Sequence, residues 1–155
     1  MKRIAAVLAV SVVTVMAVVS PVAASSDSRP FKGSAGGVAV YVPDNECQEF
    51  GLRSEVSAVG MASHLGRIEM AGDHCASLTP SDGQLTLVAA NEDTIRLDYS
   101  GPCNGVDACW FEAEVTGGTG RFVDATGGIQ MNVGLSPQSD GSVLADITWT
   151  GRIGY

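Results

Sequence analysis

Positive charge is scarce in this sequence. Nine Lys and Arg stand against 17 Asp and Glu, giving a formal net charge of −8 over 155 residues. Such a surface repels phosphate backbones and anionic headgroups, which excludes nucleic acid as a partner and stable attachment to an acidic membrane. Aromatic residues are also few, at 6%, so no platform for stacking sugars is evident. Histidine occurs only as His64 and His74, and no G-x-S-x-G elbow is present. A Ser63, His64 and Asp73 hydrolytic set is disfavoured further, because adjacent residues on a strand point to opposite faces. Nothing calls for a cofactor. After the first 24 residues no long segment carries helical spacing.

Those first 24 residues have the three parts of a secretory signal. Lys2 and Arg3 form a basic start, Ile4–Val19 is apolar but for Ser11 and Thr14, and Pro21-Val22-Ala23-Ala24 offers small residues before a polar stretch. Cleavage after Ala24 is expected, with an uncleaved anchor as the alternative. It would remove two positive charges, taking the formal net charge from −8 to −10, and would place the protein outside the cytoplasm. No cysteine stands directly after the site, so no lipid attachment is indicated. The four cysteines, Cys47, Cys75, Cys103 and Cys109, all lie beyond it. An even number in an exported chain points to disulfides. Of the three pairings, Cys47–Cys75 with Cys103–Cys109 closes the shortest loops. Chain-entropy estimates give about 3.6 and about 2.4 kcal/mol for them. Zinc held by Cys47, His74 and Cys75 is the competing reading, although adjacent ligands are awkward for that metal; no metal is expected.

Ser26–Gly37 is polar and glycine-rich and reads as a flexible arm over residues 25–37, leaving 38–155 as one β domain. Short β-rich runs follow: Val38–Val42, Glu55–Val59, His64–Met70, Leu85–Ala90, Thr94–Ser100, Trp110–Val115, Ile129–Val133 and Val143–Thr150. Turn residues separate them at the spacing of a sandwich or barrel. Alternation is clear in several. Ile95, Leu97 and Tyr99 oppose Arg96 and Asp98; Phe111, Ala113 and Val115 oppose Glu112 and Glu114; Ala145, Ile147 and Trp149 oppose Asp146 and Thr148. One face is apolar and the other wet, as in antiparallel sheets.

The apolar face supplies candidate ligand contacts in Tyr99, Phe111, Met131 and Trp149, unless these residues simply fill a core. Arg67 and Glu69 share a face with Leu65, and would line the mouth if Leu65 points inward. If Ile68 and Met70 point inward instead, the two charges form a surface pair worth at most about 1 kcal/mol. A Gly-Arg-apolar phrase recurs at Gly66-Arg67-Ile68, Gly120-Arg121-Phe122 and Gly151-Arg152-Ile153. It suggests either an anion-binding ring or, more simply, repeated strand geometry.

Thr116-Gly117-Gly118-Thr119-Gly120-Arg121-Phe122, with Ala125 and Gly127, resembles the T-G-G-[ST]-G-x-F-x-x-A-x-G pattern of the allene oxide cyclase and dirigent superfamily. Gly66-Arg67-Ile68 and the closing Gly151-Arg152-Ile153-Gly154-Tyr155 are similar to phrases in secreted bacterial relatives. The resemblance implies a small antiparallel barrel of eight strands with an apolar interior. It implies function by positioning a reactive substrate in a dry pocket, in the manner of a cyclase or dirigent protein; the absence of obvious interior acid–base groups points instead to non-catalytic binding of a small apolar or amphipathic ligand. A structural role at the cell surface is the further alternative. No catalytic residue transfers, since the matched motif is structural. N-terminal sequencing of the exported protein is expected to begin at Ser25; a chain retaining Met1 would contradict the signal assignment.

Overall fold

The computed structural model describes residues 27–76, 81–104 and 107–155. The expected signal segment, residues 1–24, lies outside them. Eight strands form in chain order: β1 (Arg29–Pro43), β2 (Leu52–Ala62), β3 (Gly66–Cys75), β4 (Ser81–Ala89), β5 (Thr94–Gly101), β6 (Ala108–Gly118), β7 (Thr126–Pro137) and β8 (Val143–Gly154). A one-turn 3₁₀ segment, Gly120–Phe122, separates β6 from β7. Every strand is antiparallel to its sequence neighbour, and β1 also pairs with β8, so the sheet closes into a barrel.

Alternation decides which side chains enter the barrel. Ile95, Leu97 and Tyr99 of β5 are buried while Arg96, Asp98 and Ser100 are exposed, and β6 and β8 repeat the pattern. Glu112, Glu114 and Asp146 face solvent accordingly, as does Leu144, the apolar exception on β8.

Two expectations need correction. The segment read as a flexible arm is strand from Arg29 onward, paired with β8 from Arg29 and with β2 from Gly33. Its glycines reflect crowding rather than looseness: a Cβ on Gly33 would lie 2.3 Å from Cζ2 of Trp149, so a bare backbone is needed where the indole crosses β1. The second correction concerns His64 and Leu65, which lie in the turn between β2 and β3, His64 at φ 70°. Strand phase cannot be carried through a turn, so Leu65 is buried without placing Arg67 or Glu69 inward. Ile68 and Met70 are the inward residues of β3, and both charges are exposed.

The two ends of the barrel differ. At one, Phe31, Ile95, Phe122 and Ile153 are each fully buried, and the glycine-rich segment folds across the opening. Thr119 N–H donates to the Thr94 carbonyl at 3.1 Å, and Thr94 N–H donates to Thr119 Oγ1 at 2.9 Å. Gly120 then turns at φ +56°, where a Cβ would collide with the Asp93 carboxylate. This drops Phe122 into the core against Tyr155, with ring centroids 4.6 Å apart. Arg121 covers both rings and donates to the His64 carbonyl, and Arg29 lies 5.1 Å from the Tyr155 ring.

Both disulfides form at the other end, with the economical pairing: Cys47–Cys75 and Cys103–Cys109. The first ties the loop between β1 and β2 to the end of β3. Joining Cys47 to Cys75 leaves no thiolates for the zinc alternative.

Within the glycine-rich segment the plug and its flank separate experimentally. Phe122→Ala should lose about 3–5 kcal/mol of stability. Gly128→Ala, where an added Cβ meets nothing within 4 Å, should change stability by less than about 1 kcal/mol. Urea unfolding of the two variants checks the contrast, and equal losses would contradict it.

Candidate functional site: a cavity at the disulfide-framed end

Opposite the plug the barrel interior is open. A cavity of about 360 Å³ enters from the end that carries the disulfides, a volume within the usual range for small-molecule sites of about 300–1,000 Å³. Its deepest residues along their strands are Met70, Leu85, Met131 and Ile147. Aromatic rings form one wall, and Tyr41, Phe50, Leu52 and Leu135 stand near the rim. Cys103 and Cys109 both contribute to the lining, so this disulfide is part of the cavity as well as a staple beside it.

The aromatic wall is a packed cluster on β3, β5 and β6. Tyr99 and Phe111 pack edge-on with centroids 4.9 Å apart, and His74 lies 6.0 Å from Tyr99 and 6.3 Å from Phe111. Strand phase brings them together: His74 continues the inward series Ile68, Met70 and Gly72, while Tyr99 and Phe111 are inward on β5 and β6. The Tyr99 hydroxyl is 2.8 Å from His74 Nδ1 and 3.4 Å from the Asp73 carbonyl oxygen. Burial pushes the His74 pKa below 6.5, against the pull of Asp73 and Asp82. Burial, helped by the same two carboxylates, pushes Tyr99 well above its ordinary value of 10. At neutral pH the pair is uncharged: a hydrogen-bonding point in an apolar wall.

Ser54, 2% exposed, is the other buried polar side chain of the lining. Outside the cavity, Arg53 holds the rim. Its guanidinium donates to Asp44 at 2.5 Å and to Asp73 at 2.7 Å. The Asp44 carboxyl is held below its ordinary range by the Glu46 N–H and then by Arg53.

The sequence-derived candidates divide. Tyr99, Phe111 and Met131 line the cavity. Trp149 is buried but lies one inward position beyond Ile147, in the filled part of the barrel; its Nε1 has no hydrogen-bond partner. Arg67 and Glu69 are on the outer face and do not reach the interior. Of the recurring arginines, Arg121 binds the His64 carbonyl and Arg152 binds Ser28, so both serve as clamps. His74 is on β3 and inside the cavity. The signal available for it was the continued alternation of Ile68, Met70 and Gly72. Ser63, His64 and Asp73 form no hydrolytic set: Ser63 Oγ accepts from Lys32 N–H at 2.8 Å at the plugged end, while Asp73 stands at the open one.

No family model matches the chain, and no curated protein matches it. Among solved structures it is similar to a pterocarpan synthase dirigent protein, with a TM-score of 0.56 and 13% identity over 85% of this chain and 88% of that one. The likeness is one of fold, and it agrees with the barrel expected from the glycine-rich motif.

The partly buried His74 gives a signed pH dependence. The unfolded chain takes up a proton near pH 6.5 while the folded one resists, so stability is lost as pH falls from about 6.5 toward the depressed folded value. Thermal unfolding should show Tm declining over this window in the native chain and declining less in His74→Asn. Equal slopes would contradict the assignment.

Proposed function

We propose that this protein binds a small, largely apolar ligand in the barrel cavity, and that it does so outside the cytoplasm. The observation that carries the reading is the asymmetry of the interior. One end is filled by fully buried side chains, and the other holds an apolar cavity of ligand size with few polar groups. That composition is typical of small-molecule sites, in which a few polar groups fix orientation. Two disulfides support an oxidising location, as does the secretory pattern of the first 24 residues.

A second reading, guidance of a reactive substrate, is favoured by the His74–Tyr99 pair. An uncharged hydrogen-bonding point in a dry wall can hold a molecule in one orientation, and orientation alone can direct a ring closure or a coupling. The dirigent likeness is consistent with it, at the level of fold.

Binding is tested with N-phenyl-1-naphthylamine, a neutral apolar dye. The native protein should show saturable 1:1 fluorescence enhancement. Ala145→Phe places a ring in the cavity and should weaken binding by at least roughly tenfold, about 1.4 kcal/mol, with Tm confirming that the variant folds. Absence of binding to the native protein, or equal binding to the variant, would overturn the proposal.

A further inference from the structure

The positive charges of this barrel are sorted along its axis. Among the described residues, Arg29, Lys32, Arg67, Arg96, Arg121 and Arg152 all lie on the plugged half, in or near the ends of strands that meet there. The open end carries Asp44, Glu46, Glu49, Asp73, Asp82 and Asp107 in its loops and last strand residues, with Arg53 as its lone Lys or Arg. Arg53 is itself held between Asp44 and Asp73. A molecule approaching the cavity therefore meets negative potential at a mouth with low-dielectric walls, an arrangement that focuses the field.

A second, independent feature lies inside the mouth. The sequence holds nine Phe, Trp and Tyr residues, and Tyr41, Phe50, Tyr99 and Phe111 all line this cavity. Tyr41 and Phe50 remain 41% and 49% exposed while doing so. Rings left partly in water at the entrance of a pocket are available to a ligand. Aromatic faces attract cations, and most strongly where water is excluded.

The two features together point to a ligand class. We propose that the cavity takes a cationic amphiphile: an apolar body in the barrel and a protonated amine or quaternary ammonium at the mouth, between the aromatic rings and the rim carboxylates. The inference rests on the binding function proposed above and specifies what is bound. It also separates this site from one for fatty-acid-like anions. A carboxylate at the same position would face the rim acids, with Arg53 already engaged.

The test uses three probes with the same ten-carbon chain: decyltrimethylammonium, decanol and decanoate. Each competes against N-phenyl-1-naphthylamine on the disulfide-intact protein. At low salt the cation should bind at least roughly tenfold tighter than the anion, with decanol between them, and the gap should narrow at high salt as screening sets in. Asp82→Asn, on the outer face at the open end, should narrow the gap between cation and anion. Asp124→Asn, at the plugged end, should leave it unchanged. Binding of all three with equal affinity would overturn the cationic assignment and leave the binding function standing. Failure of every probe and of the dye would overturn both.

Discussion

Closure of the sheet is the constraint on which the rest depends. With β1 bonded to β2 on one side and β8 on the other, every strand of the described residues has a neighbour on both sides. The interior then becomes a fixed volume, bounded by eight inward-facing rows of side chains. A barrel of this size can be packed solid or can hold one small ligand. The sequence settles the choice differently at its two ends. Bulky residues and a folded-over connection fill one. At the other, the inward rows include Ala39, Ser54, Gly72 and Ala145, small side chains that leave space across the barrel.

The glycine-rich segment and the disulfides divide the work accordingly. The former is a stopper: its turn at Gly120 delivers Phe122 to the core, Tyr155 and Arg121 pack on that ring, and Arg29 lies over Tyr155. The latter hold an end that packing alone does not. A cavity forgoes dispersion contacts among the groups that line it, so the rim needs other restraints. Cys47–Cys75 and Cys103–Cys109, with the Asp44–Arg53–Asp73 bridge between them, supply these in the region where the core is thinnest.

Much of this was legible in the sequence, and the remainder has identifiable causes. Period-two alternation placed Tyr99, Phe111 and Met131 inside, and the cysteine spacings favoured the pairing that forms. Alternation gives the face of the sheet but not the depth along the barrel axis, so Trp149 looked equivalent to Met131 although it belongs to the filled half. Arg67 and Glu69 were ambiguous because the turn at His64 and Leu65 reset the phase. His74 was obscured by Gly72 and by its bond-forming neighbour Cys75, both of which resemble the end of a strand. Phe50 lies in an irregular loop, where no periodicity exists to reveal it. Barrel closure made the arm at Arg29–Gly37 into a strand, a tertiary effect that local glycine content could not show.

The central claim is that the barrel is hollow at the disulfide end and filled at the other. Methyl-resolved NMR under increasing xenon pressure tests it most directly, because xenon enters apolar cavities without needing a particular ligand. The account predicts saturable shifts for the methyl groups of Met70, Leu85, Met131 and Ile147, with those of Ile95 and Ile153 unchanged. Shifts absent from the first group, or equal in the two groups, would contradict it.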